Sequence, residues 1–438
     1  MIKKIFIALI IVLILAGGIA AYFFFFAKKS TTTNQPGFQL SDIFPFSDDG
    51  KAPPTTGNND NTSGDTTTPQ EPTEPTKAPK LRMITRGPVA GAAVFDVLRE
   101  LPRDPNVVDK NGKPLPVQTE PATKVRYTEV ATGHVNETYL DKPNITKLTT
   151  TSIPKIVESY FAGKGATQAI LRYAGDNNSI QSFSGSIPLI PYKDGTPDTT
   201  LRGSYLAENI VSMAVSPDQE KIVTVAKDTN GSIGTISLPD GTKKTQIFSF
   251  ALSELIAQWP STKVVTITTK PAAKFPGYMY SIDVTSKVMK KVIGGINGLT
   301  TLSSPDMKMV LFSKSVNNSV TTSIYNIAAK SVVPLPGATT LPEKCVWQSS
   351  SILYCAVPSY FANADYPDAW YQGSVSFVDQ IYKIDVNNLT TTSIGTPSSV
   401  GASIDAINLV VDPSNTFLVF TNKKDGSLWS LDLRPETN

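Results

Sequence analysis

The chain has 438 residues, of which 40% are hydrophobic and 18% charged, and its 40 basic and 37 acidic residues give a net charge of +3. So small a net charge argues against a nucleic-acid partner, because nucleic-acid binders present a dense basic face. A single histidine and two cysteines exclude a His-rich zinc site and a four-cysteine cluster, and no cofactor is expected.

The first 29 residues are typical of a membrane anchor. Between Lys4 and Lys28 lie 23 uncharged residues, which as a helix would extend about 34 Å and cross a hydrocarbon core of about 30 Å. A cleaved signal peptide is the alternative, although the apolar run continues through Phe26. No cysteine precedes Cys345, so a lipoprotein is excluded. Lys and Arg become scarce after Lys29, which favours an extracytoplasmic location for the rest of the chain.

Residues 30–79 predict a disordered stalk, because Thr, Pro, Asn, Asp, Ser and Gly dominate them and offer little apolar surface to bury. One apolar group interrupts this composition, from Phe38 to Phe46. Phe44 and Phe46 are candidates for binding a partner protein. The alternative is that the membrane interface holds these aromatic rings.

From about Leu81 onward, short alternating apolar runs predict β-strands, and the chain repeats one pattern of strand, turn and strand. A Ser-Pro-Asp turn at 216–218 returns at 304–306, with related copies near Pro260, Ser349 and Pro413. Pro217, Pro260 and Pro305 are 43 and 45 residues apart. The interval from Ser349 to Pro413 is longer and holds an insertion of roughly 20 residues. No long amphipathic helix is indicated, and the patterns of helical type are short stretches such as Ala93 to Leu101.

Four strands in about 40 to 45 residues make one blade of a β-propeller. Five clear copies and two weaker ones, at 125–152 and 156–187, predict an all-β, seven-bladed propeller over residues 80–438, with six or eight blades as alternatives. The final copy has three strands, and residues 81–86 could supply the fourth. Stacked β-sandwiches are the alternative fold, but a β-sandwich does not require a sequence repeat of about 44 residues.

The Ser-Pro-Asp turn, followed by an apolar strand and a Tyr-x-Ile-Asp strand, resembles the WD40-like propeller repeats of the TolB type. The overall layout, with the segments 126–134 and 370–373, is also similar to uncharacterised propeller proteins of reduced-genome bacteria that carry an N-terminal membrane anchor. The first resemblance implies protein contacts in the cell envelope, whereas the second implies no activity.

Two cysteines are placed symmetrically about Ser350 in a predicted hairpin. If residues 349–351 form its turn, Cys345 faces Cys355 at a separation within disulfide range. An oxidising exterior would preserve the bond. The alternative is a pair of reduced cysteines in the core of a blade.

The insertion, residues 357–378, is rich in aromatic side chains, of which Tyr366, Trp370 and Tyr371 are candidates for binding a partner or a saccharide. A loop that folds onto its own blade and buries these rings is the alternative. The lone His134 lies in a predicted turn, and no arrangement of catalytic residues is evident around it.

We therefore expect a membrane-anchored propeller that binds or scaffolds another envelope protein. The alternative is a carbohydrate-active or other hydrolytic enzyme that uses propeller carboxylates. Three or more carboxylates converging within about 10 Å at one mouth of the channel would favour it. A sensor of a small ligand is a third hypothesis that the sequence does not separate from the first.

Overall fold

Alternating short strands pair into seven four-stranded antiparallel sheets in the computed structural model of the chain. The structure describes residues 80–102, 112–113, 115–175, 179–189 and 195–435. The predicted anchor and stalk, with Phe44 and Phe46, lie outside the described residues. No helix within the described ranges is both long and apolar enough to cross a bilayer.

Each sheet is one blade, numbered here in chain order. Blade 1 contains β2 (Val89–Glu100), β3 (Thr119–Glu129), β4 (Val135–Tyr139) and β5 (Thr146–Lys147). Blade 2 contains β6 (Ile156–Ala162), β7 (Gln168–Ala174), β8 (Ile180–Ser186) and β9 (Arg202–Tyr205). Blade 3 contains β10 (Ile210–Val215), β11 (Ile222–Asp228), β12 (Gly231–Ser237) and β13 (Thr245–Phe250).

The remaining blades follow the same order. Blade 4 contains β14 (Leu255–Ser261), β15 (Val264–Thr269), β16 (Pro276–Asp283) and β17 (Met289–Asn297). Blade 5 contains β18 (Thr300–Ser303), β19 (Met309–Val316), β20 (Ser319–Asn326) and β21 (Ser331–Pro334). Blade 6 contains β22 (Cys345–Trp347), β23 (Ile352–Pro358), β24 (Asp379–Asp385) and β25 (Thr390–Gly395). Blade 7 contains β26 (Ala406–Val411), β27 (Phe417–Asn422), β28 (Leu428–Asp432) and, from the start of the described chain, β1 (Leu81–Thr85).

The blades form a closed ring because their first strands contact one another in sequence. Strands β2, β6, β10, β14 and β18 are successive neighbours, the 3₁₀ turn Pro342–Lys344 links β18 to β22, and β26 returns to β2. The hydrophobic core lies between blades, as where Val225 of blade 3 clusters with Leu255 and Trp259 of blade 4. The seven-bladed prediction is confirmed, and the sandwich alternative and the other blade counts are wrong.

Strand β1 completes the last blade, as the sequence predicts. It pairs antiparallel with β28, with Leu81 opposite Leu431 and Met83 opposite Trp429. Leu81 is 8% exposed and belongs to the apolar cluster that joins blades 6 and 7, whereas Met83 is 37% exposed. This pairing covers the edge of β28 that would otherwise remain open.

The Ser-Pro-Asp turns close the first hairpin of their blades through side-chain hydrogen bonds. In blade 3, Ser216 Oγ donates to Asp218, and the same oxygen accepts the Lys221 N–H at 2.9 Å. In blade 5, Ser304 Oγ donates to Asp306 at 2.8 Å and accepts the Met309 N–H at 3.0 Å. The repeated motif is therefore a local device that satisfies the backbone of a tight turn.

Two details of blade 1 differ from the sequence-based expectation. The segment Ala93–Leu101, whose apolar spacing suggested a short helix, lies mainly in strand β2. Pairing along the whole length of β3 stabilises β2 in the extended conformation, and this tertiary pairing overrides a weak local pattern. The outer strand expected over 146–152 contains only residues 146–147.

Cys345 and Cys355 are directly opposed in the β22–β23 pair, as the hairpin symmetry predicts. Their Cα atoms are 4.1 Å apart, and the two residues form a disulfide. Both are buried, in a cluster shared by blades 5 and 6.

The ring has two faces that follow from the strand order. The connections between blades, and those between the second and third strands of a blade, meet at one end of the ring, which we call the mouth face. The connections between first and second strands, and between third and fourth strands, meet at the opposite end, which we call the turn face. The insertion joins β23 to β24 and therefore belongs to the mouth face.

We expect Leu81→Ala to lower the free energy of unfolding by about 2–3 kcal/mol, because it removes buried apolar groups from the strand that closes the ring. The control is Met83→Ala on the same strand, where greater exposure should limit the loss to below about 1 kcal/mol. Urea denaturation measures both variants. Equal losses would contradict a closing role for the buried side of β1.

Candidate functional site

The most elaborate structure on the mouth face is the inserted loop, residues 359–378. It contains a one-turn helix, Asp368–Tyr371, which begins directly after Pro367. Its contacts reach three blades other than its own. Elsewhere in the described residues the connections between second and third strands are shorter, so this loop distinguishes one side of the mouth.

The aromatic rings of the inserted loop are mostly buried. Tyr366, Trp370 and Phe377 are 1%, 2% and 1% exposed. The ring of Phe377 stacks at 6.0 Å from both Tyr366 and Trp370, and the cluster packs against Val320 and Ile407 of blades 5 and 7. Tyr366 and Trp370 are thus not accessible to a partner, contrary to the hypothesis that they bind one. They fix the loop to the propeller. This is the alternative stated above, in which the loop folds onto the propeller and buries its own rings.

A buried ion cluster lies beneath these rings. Lys344, fully buried at the end of the 3₁₀ turn, places Nζ 2.6 Å from Asp405 Oδ1 and 2.8 Å from Asp379 Oδ2. The same ammonium group donates to the Ala406 carbonyl at 3.0 Å. It also lies 5.3 Å from the centre of the Trp370 ring, within cation–π range. One lysine thus neutralises two carboxylates only in part.

Asp405 ties the inserted loop to blade 7. Its carboxylate accepts hydrogen bonds from Trp370 Nε1 at 3.0 Å and from the Phe377 N–H at 3.0 Å. Lys423 adds a bond to the Trp370 carbonyl at 2.8 Å. Removing one partner from such a buried, hydrogen-bonded pair typically costs about 3–5 kcal/mol, because the other charge is left uncompensated. The cluster therefore holds the loop in a single position.

Blades 4 and 5 hold the other side of the loop. Asp368 Oδ2 accepts the Ala273 N–H at 2.6 Å, and Asp365 pairs with Lys274 at 2.8 Å. The Ala364 N–H donates to the Asn318 carbonyl at 3.0 Å. Gly298 has a φ of +63°, and a Cβ there would lie 2.8 Å from the Tyr366 carbonyl oxygen, so this close approach requires glycine. The loop thus spans the connections of blades 4 to 7.

A cleft of about 440 Å³ separates the inserted loop from the connection between β15 and β16. This volume lies in the range of ligand and side-chain pockets. Phe275 lines the cleft and is 71% exposed, and Tyr360 of the loop is 73% exposed. The other lining residues are Ala272, Ala273, Lys274, Asp365, Asp368, Ala369, Gln372 and Ser374.

Glu343 and Tyr371 form a second polar contact between the loop and the ring. The Tyr371 hydroxyl donates to Glu343 Oε1, while Glu343 Oε2 has no hydrogen-bond partner. Burial raises the pKa of Glu343 above its ordinary value. Desolvation of the Tyr371 hydroxyl, together with the neighbouring Glu343 charge, raises the pKa of Tyr371 well above its own. Of the three aromatic candidates, Tyr371 alone keeps partial exposure, at 37%.

Several of these residues carry no signal in the sequence. Lys344 and Asp405 are 61 residues apart, and neither belongs to a recognisable motif. Phe275 follows a lysine in an ordinary connecting segment. His134, by contrast, lies in the predicted turn of blade 1, where its N–H donates to Thr132 Oγ1 at 3.1 Å and its Nε2 contacts Ser152 Oγ at 3.1 Å.

These features define a seven-bladed β-propeller with a loop fixed across one side of its mouth. No family model matches the chain, and no curated protein matches it. Among solved structures it is similar to TolB from Acinetobacter baumannii, at 10% identity and a TM-score of 0.38, over 60% of this chain and 59% of that one. The chain thus spans less than two thirds of that protein.

Two further structures cover more of their own length. Oligogalacturonate lyase from Vibrio parahaemolyticus is 8% identical, with a TM-score of 0.44, over 79% of this chain and 99% of that one. The β-propeller domain of the Trilobed protease from Pyrococcus furiosus is 10% identical, with a TM-score of 0.44, over 72% and 95%. Similarity at this level assigns no activity, and the blade count rests on the strand pairing itself.

We expect the fold to be more stable at pH 5 than at pH 7.5 because of Asp379. Burial raises the pKa of this carboxyl from 3.8 to about 6, against the opposing effect of Lys344. Between pH 5 and pH 7.5 the folded chain therefore binds more protons than the unfolded chain. The stability that Asp379 contributes is complete below its unfolded pKa of 3.8 and is lost as pH rises through its folded pKa of about 6. Between pH 7.5 and pH 5 the gain in the free energy of unfolding is about 1 kcal/mol.

Asp379→Asn should remove this contribution, since the amide resembles the protonated acid and does not titrate. The comparison is the free energy of unfolding of both proteins at the two pH values. Asp365→Asn is the matched control, because that carboxylate is 42% exposed and should leave the pH dependence unchanged. Identical pH profiles for the native chain and Asp379→Asn would contradict the assignment.

Proposed function

We propose that this chain is a membrane-anchored, extracytoplasmic propeller whose mouth face binds another protein of the cell envelope. The observation that carries the proposal is the cleft beside the inserted loop, which the exposed ring of Phe275 lines. Phe275, which lines the cleft, and Tyr360 of the inserted loop are both more than 70% exposed. An exposed aromatic side chain at a pocket is a typical anchor of a protein interface.

The rigidity of the inserted loop favours recognition. Binding loses less conformational entropy when the contact surface is already fixed. The Lys344 cluster and the contacts of Asp368 with blade 4 fix the loop from both sides. A partner that inserts an apolar side chain between Phe275 and the loop would meet a preformed site.

An enzymatic role is the alternative, and the carboxylates beside the loop favour it less. Asp379 and Asp405 are engaged by Lys344, and Asp365 by Lys274. Asp368 accepts a backbone N–H, and Glu343 accepts the Tyr371 hydroxyl. A glycosidase needs one carboxylic acid and one free carboxylate facing the substrate, and these five acids hold the loop instead.

Membrane attachment is supported by the 23 uncharged residues after Lys4. The resemblance of the sequence layout to anchored propeller proteins of reduced-genome bacteria implies the same attachment. The disulfide between Cys345 and Cys355 also suits an oxidising compartment outside the cytoplasm.

A photoreactive phenylalanine analogue at position 275, in the full chain expressed in cells, should capture one envelope protein. The same analogue at Leu389, which is 59% exposed on the turn face, is the control. With the captured protein purified, Phe275→Ala should weaken its binding by roughly tenfold or more, as for an interface hot spot, and Leu389→Ala should have little effect. Equal capture at both positions, or binding insensitive to Phe275→Ala, would overturn the proposal.

The location is tested on the same full chain. We expect it to sediment with membranes and to resist a carbonate wash, and the protein denatured without reductant should contain no titratable thiol. Externally added protease should reach residues 30–79 in spheroplasts. A soluble chain with two free thiols would contradict both the anchor and the compartment.

A further inference from the structure

Lysines are concentrated on the turn face of three consecutive blades. In blade 4 they occupy both turns of this face, and Val288 lies among them with 49% exposure. The lysines of blade 4 are Lys263, Lys287, Lys290 and Lys291, all exposed. Blade 3 adds Lys221, Lys243 and Lys244, and blade 5 adds Lys308 and Lys330.

The nine lysines outnumber the carboxylates of the same turns, which neutralise them only in part. Those carboxylates are Asp218, Glu220, Asp240, Asp283 and Asp306. Asp218, Asp240 and Asp283 each accept backbone N–H and hydroxyl donors of their own turns. Asp306 does likewise, and it forms the one ion pair described for these lysines, with Lys308 at 3.3 Å. On the mouth face of blades 3 and 4, by contrast, Glu254 pairs with both Lys227 and Lys270.

Turn geometry does not account for the lysines. Lys287 and Lys330 have φ values of 60° and 53°, a left-handed conformation that favours glycine or asparagine. Exposed apolar groups accompany them, since Val332 and Val333 follow Lys330 and are 54% and 46% exposed. Basic side chains interspersed with exposed apolar ones are the composition of surfaces that bind the headgroup region of a bilayer.

The start of the propeller lies on this same face. Strand β1 is the fourth strand of blade 7, so it runs from the turn face toward the mouth face. The Lys80 carbonyl accepts the Asp432 N–H at 2.8 Å, at the end of β28 that borders the turn face. A chain anchored through its N-terminal segment is therefore connected to the membrane from the turn-face side.

We infer that the turn face of blades 3 to 5 docks on an anionic lipid bilayer, with lysine ammonium groups on lipid phosphates and Val288 at the headgroup boundary. The inference rests on the proposed anchor, which keeps the domain close to the membrane. Each lysine near an anionic surface raises the binding constant for that surface roughly fivefold. The mouth face and its cleft then point away from the membrane, toward the proposed partner.

The test uses the full chain in nanodiscs of phosphatidylcholine, with or without phosphatidylglycerol. The two cysteines of the chain are disulfide-bonded, so Val288→Cys introduces a single thiol for a fluorophore. Nitroxide-labelled lipids should quench this fluorophore in anionic discs, weakly in neutral ones, and not at high salt. A fluorophore at Tyr360→Cys on the mouth face should remain unquenched in both.

Lysine variants show whether charge causes the docking. Replacing Lys263, Lys290 and Lys291 by Gln should lower the docking equilibrium constant on the order of a hundredfold, and should therefore reduce quenching at position 288. The matched control replaces Lys155, Lys270 and Lys314 by Gln and should leave quenching unchanged. Equal quenching in neutral and anionic discs, or quenching insensitive to the first variant, would overturn the inference. Lysine-dependent binding of soluble polyphosphate without quenching by lipids would also overturn it, in favour of a soluble acidic partner.

Failure of the anchor is recognised separately. A chain that does not remain with the nanodiscs would disprove the proposed membrane anchor. The same labelled chain is then added to vesicles of the two compositions. Quenching at position 288 with anionic vesicles would support the docking face without an anchor, and its absence would refute docking as well.

Discussion

The pairing of β1 with β28 is the constraint on which the rest of the architecture depends. Each blade buries its two faces against its neighbours, so an open ring would expose apolar surface on both sides of the gap. Leu81 contributes to the cluster that joins blades 6 and 7, and so connects the first described strand to the last repeat. A fixed ring in turn fixes the ends of its strands, and with them the loops of both faces.

The inserted loop illustrates how a propeller acquires a specific surface. Buried aromatic rings supply its stability, and Asp405 supplies its position, because one carboxylate accepts the indole N–H of Trp370 and the N–H of Phe377. Apolar packing alone would allow the loop several placements, whereas directed bonds to a buried charge permit few. The cleft beside Phe275 is therefore a fixed feature of the mouth face.

Local features of this fold could be predicted from the sequence. The Ser-Pro-Asp turns form bonds within five residues, and the hairpin around Ser350 fixes the register of Cys345 with Cys355. The segment Ala93–Leu101 was mispredicted, because its apolar spacing fits a helix as well as a strand and only the pairing with β3 decides between them. Expectations about residues 1–79 lie outside the described structure.

The site was less predictable for a physical reason. Aromatic residues serve buried clusters and contact surfaces alike, so composition could not decide the burial of Tyr366 and Trp370. The burial of Lys344 depends on Asp405, which is distant in sequence, and an isolated lysine or aspartate ordinarily indicates an exposed position.

The order of strands in blade 7 also has a consequence for biogenesis. During synthesis β1 emerges before every other strand of the propeller, yet its partner β28 follows about 350 residues later. Contacts of such sequence separation form slowly. For most of translation β1 therefore remains unpaired, and the ring closes only after β28 has been synthesised.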